Sequence, residues 1–270
     1  MAIKRILVVS GSRADYGMLE WPIKVLLDSG FEVDLLKIWG ASVDLAYSTV
    51  QTHLDNTMPD LVMLLGDRYE ILAAATAAHL RRVPIAHLCG GDVSEGSYDD
   101  AMRDAISRMA SIHFVTSTSA MARLTHMGYR NVHLIGSTGI DCIKHAHWRK
   151  ERPIAEPYVL VAYYPETIDG IVDLPAVEAA IAGRRAVWCS QNHDAGSEQL
   201  PKGEQFTHDE FLNLLVHCEE FIGNSSAMLY EAPELGVRTR MIGKRQRGRV
   251  IPWGDGNASE RIAKILRYCA

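Results

Sequence analysis

The fold is decided by the stretch RILVVSGSRADYG, which occupies residues 5–17. Its first six residues are mostly apolar and β-branched, which is typical of a buried strand, and the apolar run ends at Gly11. A helix-compatible stretch follows over residues 18–29, and residues 31–36 are extended in pattern again. The order strand, helix, strand predicts parallel strands joined by a crossover helix.

The same alternation continues along the rest of the chain. Further strands are predicted at residues 60–65, 84–88, 112–116 and 132–135, with helices between them, and a second series of the same kind begins at Tyr158. The fold class is therefore α/β, with mostly parallel sheets in two Rossmann-like domains.

A polar stretch that contains Pro153 and Pro157 separates the two series and is the best candidate for a linker. We place the N-terminal domain at residues 1–148 and the C-terminal, nucleotide-binding domain at residues 149–270. An amphipathic helix over residues 259–268 closes the chain, and packing of this helix back on the N-terminal domain is left open.

Composition excludes several classes of protein. Of the 270 residues 47% are hydrophobic and 23% are charged, a balance that is typical of globular domains, and the net charge of −5 gives no broad footprint for nucleic acid. The apolar runs are far shorter than the roughly 20 residues of a membrane span, and we interpret residues 1–9 as a first strand. Five cysteines without a Cys-x-x-Cys pair indicate neither a disulfide framework nor a zinc site. We predict a cytoplasmic protein with no metal, no cofactor, and no nucleic-acid or membrane partner.

Two loops have the composition of an anion site. Gly11, Ser12 and Arg13 follow the first strand and offer backbone N–H groups and a guanidinium to phosphate oxygens. Residues 223–226, Gly-Asn-Ser-Ser, follow a strand and precede a helical stretch, and they form a candidate diphosphate cradle. A plain strand-to-helix turn remains the alternative for the first loop, and an ordinary helix N-cap for the second.

Other charged residues extend this pattern. Glu231 could accept hydrogen bonds from a ribose diol, and the basic loop of residues 244–249 could neutralise a diphosphate, although a solvated surface loop is the alternative. Carboxylates that follow strands suit proton abstraction and donation, since neighbouring like charges push pKa values apart. They are Asp67, Asp92, Asp99 and Asp100. Helix capping is the alternative for the last two, and His87 is interpreted as a hydrogen-bonded core residue.

Taken together in order, the motifs resemble those of the hydrolysing UDP-N-acetylglucosamine 2-epimerases of sialic-acid and related nonulosonate pathways. Each motif is weak alone and the set is specific, and the match runs over nearly the whole chain. The motifs are GSRADYG (11–17), PDLV and GDRYE (within 59–70), GGDV (90–93), DDAMR (99–103), DAGS (194–197) and GNSS (223–226).

The resemblance implies a glycosyltransferase-B-like architecture with a UDP-sugar in a cleft between two domains, and a homodimer. In active members it implies elimination of UDP and hydration of a glycal to N-acetylmannosamine. By motif match, Asp67, Asp92, Asp99 and Asp100 would be catalytic. The residues that would bind the UDP-sugar are Arg13, Arg68, Arg103, Ser197, Asn224, Ser225, Ser226, Glu231, Arg245 and Arg249.

Three departures from the family pattern bear on catalysis. The family motif typically has a carboxylate where this chain has Cys89, and His-Pro where this chain has Tyr164 and Pro165. A thiol and a phenol are poorer acid–base groups at neutral pH than a carboxylate and an imidazole. The chain is also shorter than is typical of the family. A different UDP-sugar, a binding-only UDP-sugar sensor, and a glycosyltransferase on the same frame therefore remain alternatives.

Overall fold

The computed structural model describes residues 3–145, 151–166, 168–191 and 196–268. The chain divides into two compact units, and each contains one parallel sheet. The predicted α/β fold with parallel sheets in two domains is confirmed. No helix in the described ranges has the length and apolar character needed to cross a bilayer.

The first unit is built on a six-stranded sheet with the order β2-β1-β3-β4-β5-β6, in which every pairing is parallel. Alternate residues of β1 enter two different cores, because Ile6 and Val8 face one layer of helices while Leu7 and Val9 face the other. The elements are β1 (Arg5–Ser10), α1 (Arg13–Asp28), β2 (Glu32–Lys37), α2 (Val43–Thr57), β3 (Leu61–Leu65), α3 (Tyr69–Leu80), β4 (Ile85–Leu88), α4 (Asp99–Met109), β5 (Ile112–Val115), α5 (Thr118–His126), β6 (Val132–Leu134) and α6 (Thr138–His145).

The second unit has a four-stranded parallel sheet with the order β10-β9-β7-β8. Its elements are β7 (Val159–Ala162), α7 (Leu174–Ile181), β8 (Ala186–Trp188), α8 (His208–His217), β9 (Phe221–Gly223), α9 (Glu231–Glu234) and β10 (Thr239–Met241). In both sheets the strand order reverses once, between β1 and β3 in the first and between β7 and β9 in the second. These switch points are where open parallel sheets bind ligands.

The division of the chain is less simple than one boundary. The predicted boundary at residues 148 and 149 lies in 146–150, outside the described residues. The structure assigns Pro252–Ala270 to the first unit, where α10 (Ala258–Tyr268) packs on α1 and α6. It assigns Ser94–Tyr98 to the second unit.

Three helical segments differ from the sequence prediction. Helices α2 and α6 were not predicted, although Ala46, Val50 and Leu54 of α2 are buried at a helical spacing of four residues. The helical stretch predicted after the Gly-Asn-Ser-Ser loop is not one continuous helix. A 3₁₀ turn, Ser226–Met228, is followed by the one-turn helix α9. Pro233 supplies the reason, because it has no N–H to continue a helical ladder.

Asp141 of α6 fixes the position of α10. Its carboxylate accepts hydrogen bonds from the backbone N–H of Ala258 (3.1 Å) and of Ser259 (2.6 Å), and from the Ser259 hydroxyl (2.7 Å). Asp141 and Ser259 are both fully buried. A buried carboxylate on the first N–H groups of a helix acts as an N-cap and satisfies donors that water cannot reach.

Replacement of Asp141 by alanine is expected to lower the free energy of unfolding by about 2–4 kcal/mol, because three buried donors lose their acceptor. Urea denaturation followed by circular dichroism measures the change. Asp28→Ala, on the exposed last turn of α1, is the control and is expected to stay within about 0.5 kcal/mol of the parent protein. Equal stabilities of the two variants would contradict the capping role.

Candidate functional site

The loop after β1 lies at the switch point of the first sheet. Helix α1 begins at Arg13, because Ser12 caps it and accepts a hydrogen bond from the backbone N–H of Asp15 (3.1 Å). Arg13 is thus the first residue of a 16-residue helix, and its side chain is exposed. Gly11 packs closely, since a Cβ at this position would lie 3.1 Å from the Ile71 Cδ1 atom. The predicted anion loop therefore exposes a cation at a helix start.

A buried arginine gathers the carboxylates that the sequence predicts as acid–base groups. Arg103 is 2% exposed and donates hydrogen bonds to the carboxylates of Asp67 and Asp100 and to the backbone carbonyl of Asp92 (2.8 Å). The Asp92 carboxylate accepts a hydrogen bond from the Thr116 hydroxyl (3.1 Å). Three of the four predicted catalytic residues are thus brought to one place within the first unit. The fourth, Asp99, is the first residue of α4.

A histidine supports the loop that carries Asp67. His87 is fully buried in β4, and its Nε2 atom lies 2.8 Å from the backbone carbonyl of Gly66 while Nδ1 lies 2.9 Å from the Ser107 hydroxyl. Burial lowers the pKa of His87 to about 4, so the ring is neutral near pH 7. Nε2–H then donates to the carbonyl and Nδ1 accepts from the hydroxyl. The interpretation of His87 as a hydrogen-bonded core residue is confirmed.

The loop after β4 contains a backbone conformation that is unusual for a residue with a side chain. Cys89 has a φ of 64°, in the left-handed region, and its N–H donates to the Phe114 carbonyl (3.0 Å). Non-glycine residues in this region are uncommon, and they cluster at functional sites. The Cys89 thiol therefore lies on a constrained backbone, and the side chain is half-buried.

Arg68 has a partner that the sequence did not indicate. Its guanidinium donates to both carboxylate oxygens of Glu70, at 3.1 and 3.0 Å, and Glu70 is fully buried. Asp15 lies close by and is 8% exposed, and its Oδ2 atom is buried without a hydrogen-bond partner in the described residues. Burial raises the pKa of Asp15 to about 6, and the positive charge of Arg68 opposes this shift.

At the switch point of the second sheet, the Asn224 side chain joins two loops by hydrogen bonds, and we call this arrangement the asparagine clamp. The Asn224 side chain accepts from the Tyr164 N–H (2.8 Å) and donates to the Tyr164 carbonyl (2.8 Å), so it joins the loops after β7 and β9. Gly223 is required beneath it, since a Cβ there would lie 2.1 Å from the Ala162 carbonyl oxygen. The Asn224 amide is thus bonded to the protein backbone.

The loop that follows the clamp presents polar groups in a partly buried setting. Ser225 and Ser226 are half-buried, and the Ser225 hydroxyl accepts from the Ala227 N–H (3.2 Å). The Glu231 Oε2 atom is buried and has no hydrogen-bond partner within the described ranges, while Oε1 lies 4.0 Å from the His208 Nε2 atom. Burial raises the pKa of Glu231 to about 7 and lowers that of His208.

The basic loop of residues 244–249 is tied to the segment after β7. Arg245 donates to the Pro165 carbonyl (2.6 Å) and lies over the Tyr164 ring, and the Glu166 carboxylate accepts from the Lys244 N–H (2.7 Å). The Nε atom of Arg249 is buried without a partner in the described part of the chain. These hydrogen bonds therefore fix the position of the loop, and the Nε–H group of Arg249 is available to donate to a ligand.

One predicted site residue, Ser197, remains to be described, and three polar residues of these loops were not predicted. Ser197 begins a short 3₁₀ turn, whereas Asp194 and Ala195 of the same motif lie outside the described residues. Sequence reasoning missed Glu70, Asp15 and His208. A carboxylate within the motifs GSRADYG and GDRYE was the available signal for the first two, and none marked His208.

Comparison with known proteins identifies the family of the chain. The family model described as UDP-N-acetylglucosamine 2-epimerase matches residues 3–251. Polysialic acid biosynthesis protein P7 of Escherichia coli is 27% identical over a match that covers 92% of this chain and 81% of that protein. The GDP/UDP-N,N'-diacetylbacillosamine 2-epimerase (hydrolyzing) of Campylobacter jejuni is 27% identical over a match that covers 84% of this chain and 66% of that protein.

Solved structures agree in fold. The S. aureus MnaA structure with UDP superposes with a TM-score of 0.81 over 99% of this chain and 97% of that chain, at 16% identity. At this identity the similarity is one of fold, and it confirms the glycosyltransferase-B type of architecture that the resemblance implied.

The buried Asp15 predicts an unusual dependence of stability on pH. Its folded pKa of about 6 lies above the ordinary value of 3.8, so between these values the folded state binds more protons than the unfolded state. The contribution of Asp15 to the free energy of unfolding is therefore fully present below about pH 4 and is lost as the pH rises through 6. Asp15→Asn is expected to raise the melting temperature relative to the parent protein more at pH 8 than at pH 5.

Differential scanning calorimetry at the two pH values measures this difference. Asp28→Asn changes an exposed carboxylate of the same helix and serves as the control, with the same small effect expected at both pH values. A gain for Asp15→Asn that does not grow with pH would contradict the burial of a charge at this position.

Proposed function

This chain belongs to the UDP-N-acetylglucosamine 2-epimerase family, and we propose that it is a hydrolysing member, which converts UDP-N-acetylglucosamine and water to UDP and N-acetylmannosamine. The observation that carries the proposal is the gathering of Asp67, Asp92 and Asp100 by the buried Arg103. The name of the Campylobacter jejuni relative, which includes the word hydrolyzing, supports this type of reaction.

The reaction needs two proton transfers at one carbon. A base removes the proton at C2 of the sugar while the C1–O bond to UDP breaks, which leaves a glycal, and water then adds at C1 while an acid returns a proton to C2 from the other face. We assign these transfers to the group Asp67, Asp92, Asp99 and Asp100. Arg103 holds the carboxylates of Asp67 and Asp100, whereas the Asp92 carboxylate accepts from the Thr116 hydroxyl, so carboxylates in different surroundings are available for the two transfers.

Departure of UDP leaves negative charge on the diphosphate, and fixed donors lower the barrier to this step. We assign the phosphates to Arg13 in the first unit, where Arg68 and Arg103 are also counted among the residues that bind the UDP-sugar. The residues of the second unit that are assigned to nucleotide binding are Ser197, Asn224, Ser225, Ser226, Arg245 and Arg249. Asn224 holds the backbone of Tyr164 in place through its side-chain hydrogen bonds. The buried Nε–H group of Arg249, which has no partner in the described residues, supports direct contact of this residue with an anion.

The ribose is assigned to Glu231. Its Oε2 atom is buried and lacks a partner in the described residues, which is costly unless a ligand supplies a donor. The hydroxyl groups of a ribose supply two donors, so binding of a nucleoside would satisfy this oxygen.

A second candidate function is binding of a UDP-sugar without turnover. Cys89 and Tyr164 favour it, because each stands where the family typically has a better acid–base group. A homodimer, a cytoplasmic location and a role in sialic acid biosynthesis remain predictions of the resemblance.

One experiment separates the two candidates. The protein is incubated with UDP-N-acetylglucosamine in deuterated water, and UDP, free sugar and deuterium at C2 are followed by NMR. Release of UDP with N-acetylmannosamine deuterated at C2 is the expected result of the proposed reaction. Bound but unchanged substrate would contradict it and favour the binding role.

Glu231→Gln is expected to weaken the affinity for UDP by about tenfold, because an amide NH2 group replaces one buried acceptor oxygen and the loss of one buried hydrogen bond costs about 1.4 kcal/mol. Isothermal titration calorimetry with UDP measures the effect. Glu234→Gln changes an exposed carboxylate of the same helix and is expected to bind UDP like the parent protein. Unchanged affinity in Glu231→Gln would remove this residue from the site.

A further inference from the structure

Two cations of the first unit converge on one aromatic ring. The Arg13 Cζ atom lies 5.7 Å from the centroid of the Trp39 ring, and the Lys37 Nζ atom lies 4.9 Å from the same centroid. Lys37 Nζ also lies 4.2 Å from the centroid of the Tyr16 ring. Arg13 begins α1 and Lys37 ends β2, so both cations stand at the carboxyl edge of the sheet, where ligands of such folds bind.

The ring that holds them is fixed to the predicted anion loop. Trp39 Nε1–H donates to the Ser10 hydroxyl (2.9 Å), and this hydroxyl donates to the Ser12 carbonyl (2.8 Å). Ser10 is fully buried at the end of β1. The indole is therefore anchored to the same turn that places Arg13, and the distance of Lys37 from that turn is set by the fold.

The positive charges of this cluster are not paired with carboxylates in the part of the chain that the structure describes. Neither Arg13 nor Lys37 forms an ion pair with a carboxylate in the described residues, and both side chains are exposed. Other arginines of the unit have such partners, as Arg68 has Glu70 and Arg123 has Asp104. A cation over an aromatic ring gains about 0.5–1 kcal/mol at an exposed site, but two cations on one ring repel each other.

Acidic groups near the cluster offset its positive charge only in part. Asp15, two residues after Arg13, is buried beside Arg68. Glu20 raises the pKa of Tyr16, after the larger effect of burial, but it forms no ion pair with Lys37 in the described part of the chain. The cluster therefore carries a net positive charge beside backbone N–H groups of a helix start, a combination that favours an anion.

We propose that Lys37, held on Trp39 beside Arg13, is a second phosphate-binding cation, so that the two side chains together receive a phosphoryl group of the nucleotide. The inference rests on the proposed function, in which Arg13 binds the nucleotide phosphates, and it adds Lys37 as a binding residue and Trp39 as a positioning residue. Tyr16 and Trp39 keep both cations near the Gly11–Ser12 loop. Stacking of the uracil base on these rings is the competing use, and it is disfavoured because the cations already lie over them.

The test compares ligands that differ in phosphate. UDP and inorganic pyrophosphate are titrated by calorimetry, and uridine is titrated by ligand-observed NMR, against the parent protein and Lys37→Met. The variant keeps the apolar stem and removes the charge. We expect the Kd for UDP and for pyrophosphate to rise about fivefold to tenfold and that for uridine to stay within about twofold, with a weaker dependence of UDP affinity on salt.

The chain offers a matched control. Lys24 lies 4.7 Å from the centroid of the Trp21 ring and is also exposed, but it belongs to the middle of α1, away from the strand edge. Lys24→Met removes the same charge from the same kind of contact. It is expected to bind all three ligands like the parent protein.

The outcomes are separable. Equal effects of Lys37→Met and Lys24→Met, or UDP affinity unchanged in Lys37→Met while Arg13→Ala loses it, would overturn the role of Lys37 alone. Equal loss of uridine and UDP affinity would indicate stacking of the base and also overturn it. A parent protein without affinity for UDP would overturn the proposed function, and the pyrophosphate titration would then decide on Lys37 by itself.

Discussion

Parallel pairing of buried strands is the constraint on which both units depend. Each sheet contains only parallel pairs, so every strand begins at one edge and ends at the other, and the loops that follow the strands collect at a single edge. Glycines at the strand ends let these loops approach the neighbouring backbone, as Gly223 does at the Ala162 carbonyl. The chemistry of the protein is consequently concentrated in a few short turns, and the rest of each unit holds those turns in place.

Buried polar groups then decide what the turns can do. Arg103 and His87 fix the loops of the first sheet with hydrogen bonds whose loss would leave buried donors or acceptors unpaired. Asn224 does the same in the second sheet. The buried oxygens of Asp15 and Glu231 are among the buried polar atoms that have no hydrogen-bond partner in the described residues. Their pKa values are raised by the same lack of solvation that makes them informative.

Much of this could be predicted from the sequence, since apolar runs that end in glycine mark the strands and place the polar turns. The contacts between turns could not be predicted, because they join residues that are far apart in the chain. Arg103 reaches Asp67, and Asn224 reaches Tyr164, only because the order of strands in each sheet makes the loops neighbours. Lys37 reaches Tyr16, and Arg13 reaches Trp39, likewise because β2 lies beside β1 in the sheet.

The return of the last segment to the first unit has a consequence for how the protein is made. Asp141 is synthesised more than a hundred residues before the helix that it caps, and all of the second unit except Ser94–Tyr98 is translated between them. The first unit therefore cannot bury its final layer, Ile262 and Leu266, until α10 has left the ribosome. During translation the second unit can therefore fold while the first unit is still incomplete. The N-terminal half of the chain is then the last part to become fully protected from proteases and chaperones.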